Sequence, residues 1–187
     1  MSTEPDRGRE EVDVPKGVTF ALRDGRLTAK GPLGSVERPF PSGALAITPA
    51  DGRVVLELTI PVERRHAQAL LRTWAAHVRN LAGGLTRGVE ARMKVVAAHF
   101  PMKVQVRGEE LVIENFLGEK YPRSTRLVPG TRAVVDGEFV VLTGHDLEQV
   151  GQSAANIERV TRIRDYDPRV FQDGIYLVER AHLKEAS

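Results

Sequence analysis

The residues of this chain that could do chemistry are mainly basic side chains, because the common catalytic arrangements are missing from its sequence. The histidines are scattered, and the spacing of His66 and His77 on a predicted helix does not suit a shared metal ion. There is no Gly-x-Ser-x-Gly nucleophile elbow, no Gly-x-Gly-x-x-Gly fingerprint and no P-loop. Paired carboxylates such as Asp165 and Asp167 fall in predicted turns. We therefore expect no enzyme activity, no cofactor and no metal site.

Basic residues are concentrated in predicted loops and on the open face of a helix in the second half of the chain. Pro122 and Pro129 restrict one of these loops, and cationic side chains on a rigid loop are suited to phosphate contacts. An ordinary charged surface, balanced by acids such as Glu158, is the alternative interpretation. The candidates for phosphate contact are Lys120, Arg123, Arg126, Arg159, Arg162, Arg164 and Arg169.

Three amide side chains lie among these basic residues. Gln152, Asn156 and Gln172 are neutral donors that could reach sugar hydroxyls or bases. Aromatic residues make up only 5% of the chain, whereas a stacking platform for single strands needs exposed rings. The composition therefore favours recognition of folded, double-helical RNA by its shape and backbone.

The turns of the sequence repeat at a nearly constant offset. Gly31–Gly34 and Asn115–Gly118 each follow a strand, a turn and a second strand. Asp51-Gly52 and Asp136-Gly137 each precede a strand-like segment and then a stretch with helical periodicity. Such an offset indicates a duplicated module, and binding platforms are duplicated more often than catalytic sites.

The predicted fold is α+β, with two similar lobes from an internal duplication. Each lobe is expected to be a small, mainly antiparallel sheet with one helix packed on a face. The expected organisation is a polar arm at residues 1–14, an N-terminal lobe at 15–85, a C-terminal lobe at 86–178 and a tail at 179–187.

Helical periodicity and capping signals predict one helix in each lobe. The first should begin near Pro61–Glu63 and end at Gly83-Gly84, with Trp74 as a core anchor. The second should begin at Asp146, with Gln149 completing a capping box.

The segments outside the helices are predicted from their prolines, glycines and hydrophobic alternation. Pro32–Pro49 should be a loop that can hold an edge strand at Ser35–Phe40, and Asn115–Asp136 a second turn-rich stretch. Alternation from Val89 to Ala97 predicts a half-buried strand, and Ile175–Val178 a short one.

Composition excludes several classes of protein. The chain has no cysteine, which excludes disulfides and thiolate metal sites and fits a reducing compartment. No segment approaches the ~18 apolar residues of a membrane span, and the charged start Ser2–Glu11 is unlike a secretory signal. We expect a cytoplasmic protein without a membrane partner. The net charge of +2 is modest for a nucleic-acid-binding protein.

Three longer motifs, together with the short His99–Met102, occur in a familiar order. They are Asn115–Lys120 followed by Pro122-Arg123, Val150–Glu158 and Arg169–Tyr176. Together they resemble the archaeal and eukaryotic branch of the family of the sixth protein of the large ribosomal subunit. The resemblance covers nearly all of the chain and is strongest from Glu90 to Val178.

This resemblance implies two α+β lobes and binding of large-subunit ribosomal RNA, mainly through the second lobe. It implies a location near the sarcin-ricin loop and the base of the stalk, among neighbouring ribosomal proteins and close to the docking site of translation factors. It implies no catalysis. The RNA-contact candidates that it supplies are Lys120, Arg123, Gln152, Asn156, Arg169, Gln172 and Asp173. Asp173 and Gly174 could instead form a turn that orders their loop.

Two other functions remain open at this point. A protein–protein adaptor could use exposed sheet edges and the N-terminal arm. An RNA-modifying enzyme would need a pocket with a clustered acid or base of perturbed pKa, which the sequence does not indicate.

Overall fold

The chain forms two compact units that divide between Arg87 and Gly88 in a computed structural model. The structure describes residues 8–50, 52–61, 66–167 and 169–185. Across these ranges, no helix combines the length and the apolar character that a membrane crossing requires.

The first unit has two antiparallel three-stranded sheets and one helix. One sheet has the order β2-β3-β4 and the other the order β1-β6-β5. Within the described residues, the elements are β1 (Arg9–Asp13), β2 (Thr19–Arg23), β3 (Arg26–Gly31), β4 (Gly34–Pro39), β5 (Leu45–Ala50), β6 (Arg53–Leu58) and α1 (Ala67–Arg87).

A two-residue turn joins β2 to β3 and sets their register. Asp24 and Gly25 both have positive φ, 49° and 71°, as in the type I′ turns that match the twist of a hairpin. Arg23 therefore lies opposite Arg26. This register places Phe20 and Leu27 in the core against the buried face of α1. The predicted hairpin at Asp24-Gly25 is confirmed. Of the predicted turn Asp51-Gly52, Asp51 lies outside the described residues.

Helix α1 ends later than the sequence predicts. It passes through Gly83 and Gly84, which are buried, and continues to Arg87. Gly31 explains this, because a Cβ on Gly31 would lie 2.7 Å from the Cβ of Leu85. The last turn of α1 thus packs directly on β3, where two glycines in a helix are tolerated because they are enclosed. The carbonyl of Leu85 also accepts the N–H of Leu33 at 3.1 Å.

The start of α1 is only partly visible. Pro61 is not helical and the structure describes α1 from Ala67, while residues 62–65 of the predicted start lie outside the described residues. Trp74 packs against the core, with its ring edge-on to Phe40 at 4.8 Å between centroids.

The second unit has a four-stranded sheet, a three-stranded sheet and one helix. The sheet orders are β11-β12-β7-β13 and β10-β9-β8, and all pairings are antiparallel. Within the described residues, the elements are β7 (Val89–Val96), β8 (Lys103–Arg107), β9 (Glu110–Glu114), a 3-10 turn (Phe116–Gly118), β10 (Arg123–Arg126), β11 (Arg132–Asp136), β12 (Phe139–Gly144), α2 (Leu147–Val160) and β13 (Gly174–Leu183).

Asp146 caps the start of α2 as predicted. Its side chain accepts the backbone N–H of Glu148 at 2.9 Å. The reciprocal half of the predicted capping box does not form, because the Oε1 atom of Gln149 is buried beside Gly130 without a hydrogen-bond partner among the described residues. Val150, Ala154 and Ile157 are the buried stripe of the helix.

The two units share one topology, which supports the predicted duplication. The sheets β2-β3-β4 and β8-β9-β10 correspond, as do β1-β6-β5 and β7-β12-β11, and a helix follows both β6 and β12. Strand β13 has no counterpart among the described residues of the first unit. The α+β fold with antiparallel sheets agrees with the prediction.

Four segments were predicted with too little strand. Residues 9–13 of the predicted polar arm form β1, because Val12 is buried and Glu11 pairs across the strands with Arg53. The predicted tail from 179 is largely strand, since β13 continues along β7 to Leu183 with two bulges. The two turn-rich stretches hold β5, β10 and β11, whose short, charged or proline-containing sequences hide the alternation.

Candidate nucleic-acid interface

A buried aspartate fastens two of the motifs of the second unit to each other. Asp173 is 1% exposed and accepts two hydrogen bonds from His99, one from the backbone N–H at 3.0 Å and one from Nδ1 at 2.7 Å. Burial on its own would raise the pKa of Asp173, but the hydrogen bonds from His99 hold this pKa below its usual value. Asp173 therefore faces inward and orders the loop, the alternative role considered for it above.

The Asn115–Gly118 segment is a tight turn fixed by its side chains. Asn115 and Leu117 have positive φ, 59° and 49°, and the side-chain amide of Asn115 donates to the carbonyl of Pro101 at 2.9 Å. Gly118, with φ of 76°, leaves no room for a Cβ without pressing on the ring of Phe100. The turn thus holds the His99–Met102 motif in place.

Arg123 uses its guanidinium inside the protein. It makes two hydrogen bonds to the carboxylate of Glu119 and donates through Nη1 to the carbonyls of Val160 at 2.8 Å and Arg162 at 3.2 Å. Its guanidinium also lies over the ring of Phe116, 4.2 Å from the centroid. Arg123 hydrogen bonds lower the pKa of Glu119. Arg123 therefore anchors strand β10 to the end of α2 and has little capacity left for phosphate.

A buried serine makes a second connection between the loop before β11 and α2. Ser153 Oγ accepts the backbone N–H of Val128 and donates to the carbonyl of Gln149, both at 2.9 Å. This position lies within the Val150–Glu158 motif, so that motif too has a structural reason.

The end of α2 and the segment before β13 enclose an open cleft of about 640 Å³. Arg159 and Arg162 lie on one side, and Phe171, Gln172 and Tyr176 on the other. Within the described residues, neither arginine has an ion-pair partner. The remaining lining residues are Ala155, Glu158, Thr161, Ile163 and Ile175. Three of the predicted RNA-contact residues thus meet at one place.

The other predicted contact residues lie on the surface outside this cleft. Lys120, Arg126 and Arg164 are exposed, and the ammonium of Lys120 lies 5.9 Å from the ring centroid of Tyr121. Arg169 is exposed and paired with Asp167 at 3.2 Å. Gln152 donates to Asn156 at 2.9 Å on the surface of α2.

Comparison with known proteins identifies the family. A model of the ribosomal protein L6 family matches residues 100–174. Relatives described as "Large ribosomal subunit protein uL6" are 44% identical in Methanobrevibacter smithii and 45% identical in Methanosarcina mazei, covering 92% and 91% of this chain and 96% of each relative. Another, from Methanospirillum hungatei, is 46% identical over 91% of this chain and 96% of its own length. The chain belongs to the ribosomal protein L6 family.

The family match coincides with the interlocked motifs. It begins at Phe100, beside the histidine that holds Asp173, and ends at Gly174, where β13 starts. The hydrogen bonds from His99, Asn115 and Arg123 lie in or beside this range, so much of what identifies the ribosomal protein L6 family here is packing that shapes the basic surface.

The aromatic part of the surface was missed by the sequence analysis. Tyr176 is 45% exposed, and Tyr121, Tyr166 and Phe100 are also largely exposed. A low total of aromatic residues was interpreted as evidence against exposed rings, but all of these lie in the second unit of this L6-family chain. The signal that could have found Tyr176 is its alternation with the apolar Ile175 and Leu177 on a predicted strand.

Proposed function

We propose that this protein is a non-catalytic constituent of the large ribosomal subunit that binds large-subunit ribosomal RNA through its second unit. The observation that carries the proposal is the cleft, where Arg159 and Arg162 stand without ion-pair partners among the described residues, opposite the amide of Gln172. Guanidinium groups that are not neutralised internally release counterions when they meet phosphate, which drives association. The family membership supports the ribosomal setting.

The basic surface divides into groups that contact RNA and groups that hold them. Arg159 and Arg162, with the exposed Lys120, Arg126 and Arg164, are the proposed contacts. Arg123 and Asp173 were also predicted contacts, and we propose a positioning role for both, because their polar atoms are used internally.

The proposed location follows from the family resemblance. The site lies near the sarcin-ricin loop and the base of the stalk, with neighbouring ribosomal proteins around it and translation factors docking nearby. The compartment is the cytoplasm, as part of the large ribosomal subunit.

Removing the two cleft arginines tests the proposal. The double variant Arg159→Gln with Arg162→Gln should bind a large-subunit ribosomal RNA transcript more weakly, and the salt dependence of its affinity should become shallower by roughly 0.9 per lost phosphate contact. Filter binding over a range of salt concentrations measures both quantities.

A matched control separates local contact from net charge. Arg23 and Arg72 are exposed arginines of the first unit without ion-pair partners among the described residues. Arg23→Gln with Arg72→Gln removes the same charge and should leave both affinity and salt dependence nearly unchanged. Equal losses in the two double variants would mean that the cleft is not the contact site.

A further inference from the structure

We infer that the cleft of the second unit holds one unpaired nucleotide of a structured RNA, with its base against the ring of Tyr176 and its phosphate beside Arg159 and Arg162. This inference rests on the proposed function, because it assigns a class of ligand to one place on the proposed RNA surface. It differs from the recognition of duplex backbone that composition predicted, since the ligand is a base outside a helix.

The lining of the cleft has the three kinds of group that an unpaired nucleotide needs. Phe171, Ile175 and Tyr176 provide an aromatic and apolar wall, Gln172 provides an amide that can both donate and accept, and the arginines provide positive charge. Unpaired bases in RNA are bound by stacking on rings and by hydrogen bonds to their edges. A duplex hides these edges and cannot use an aromatic wall.

Internal bonds hold the ring of Tyr176 in a fixed place. Its hydroxyl donates to the carbonyl of Gln172 at 3.1 Å and lies 3.4 Å from that of Asp173, and the ring folds over Gly174. A Cβ on Gly174 would lie only 3.0 Å from the ring. The ring is nevertheless 45% exposed, so it is positioned by the protein while one part remains open to a ligand.

The acidic group in the cleft does not oppose this ligand. Glu158 points one carboxylate oxygen at the backbone N–H of Leu177, at 2.8 Å. The side chain of Gln172, by contrast, has no hydrogen-bond partner among the described residues, although it is exposed on the cleft. An amide in this position is available to read the edge of a base.

Nuclear magnetic resonance of the full chain tests the inference, with an adenosine hexanucleotide and a duplex RNA hairpin as probes. The hexanucleotide should shift the signals of the Gln172 amide and the Tyr176 ring, and its base protons should move upfield because they stack. The hairpin should leave the two protein signals nearly unchanged. Equal shifts with both RNAs, or none with the hexanucleotide, would overturn the inference.

A substitution supplies the second readout. Gln172→Ala should weaken binding of the hexanucleotide by about fivefold or more, the lower end of the range for losing a base contact. Gln105→Ala, on β8 away from the cleft, should stay within about twofold of the unchanged chain. Equal affinities for the two variants would count against the cleft.

Binding of the large-subunit RNA transcript by the unchanged chain, measured in parallel, separates the two proposals. If the transcript binds but the cleft signals do not respond to the hexanucleotide, only the nucleotide site is wrong. If the transcript does not bind, the proposed function is wrong and the nucleotide site falls with it.

Discussion

At the scale of single residues, the second unit separates positioning from contact. Arg123 and Asp173 belong to the recognisable motifs, yet their polar atoms are bonded to other parts of the protein. Arg159, Arg162 and Gln172 have less internal engagement and line the cleft. Basic or acidic character in a motif therefore does not identify an RNA contact until the internal hydrogen bonds have been counted.

Arg123→Ala should lower the free energy of unfolding by about 2 kcal/mol. The substitution leaves the carbonyls of Val160 and Arg162 without their charged donor and Glu119 without its partner, and hydrogen bonds to charged groups contribute about 1.5–3 kcal/mol each. Urea denaturation measures the change. Arg126→Ala on the same strand should cost no more than about 0.5 kcal/mol, because that side chain is exposed. Similar losses for both variants would contradict the anchoring role.

The Asp173–His99 pair should make stability depend on acidity. Because the pKa of Asp173 is lowered in the folded chain, its contribution is present above the unfolded value near 3.8 and is lost as the pH falls through the folded value. The difference in unfolding free energy between the unchanged chain and Asp173→Asn should be largest above about pH 5 and shrink below about pH 4. Urea titrations at several pH values measure it, and a constant difference would refute this linkage.

At the scale of elements, close approaches of backbone decide where helices and turns end. Gly31 lets the last turn of α1 pack on β3, and Gly118 lets the 3-10 turn pack on Phe100. In both places a glycine that looks like punctuation in the sequence is a contact point in the structure.

Gly31→Ala should destabilise the first unit by about 1–3 kcal/mol. The new methyl group would meet both the Cβ and the carbonyl oxygen of Leu85, at 2.7 and 3.1 Å, and neither can move without shifting α1. Thermal unfolding gives the size of the effect. Gly43→Ala is the matched control in the same unit, because nothing lies within 4 Å of the added carbon, and it should be nearly neutral. A neutral Gly31→Ala would show that the packing of α1 on β3 is loose.

Local signals predicted those elements whose cause lies in neighbouring residues. The hairpin at Asp24-Gly25 and the cap at Asp146 follow from backbone preferences of a few residues, and both were predicted. Strand β1 could not be, because its charged residues become compatible with a sheet only when Glu11 meets Arg53, which is distant in sequence. The end of α1 was missed for the same reason.

The site was predicted only as a set of residue types. Loops rich in arginine indicated phosphate binding, but nothing in the sequence separated Arg123, which is bonded internally, from Arg162, which lines the cleft. That difference depends on which carbonyls and carboxylates the fold brings to each guanidinium. The exposed ring of Tyr176 was hidden for a related reason, because burial is a property of the folded chain.

At the scale of the whole molecule, a duplicated fold carries two different surfaces. Both units use the same sheet topology, but the cleft and the interlocked motifs belong to the second unit. The protein–protein adaptor considered from the sequence would instead depend on sheet edges, which both units present.

Cell fractionation distinguishes these two functions. The chain should travel with the large ribosomal particle in a sucrose gradient, and digestion with ribonuclease or exposure to high salt should release it, because phosphate contacts are screened and then removed. An adaptor bound mainly to protein would stay in its complex through both treatments. Retention after ribonuclease would therefore count against the RNA-binding proposal.

The topological correspondence of the units has a consequence for how the two halves have diverged. Where the second half carries Asn115–Gly118, locked to Pro101 and Phe100, the first carries Gly31–Gly34, which answers only to its own helix. Substitutions in the first half are screened for folding alone, whereas those around His99 and Asp173 must preserve a bonded pair. Across lineages, the two positions should mutate together, and the amino-terminal half should accumulate changes faster.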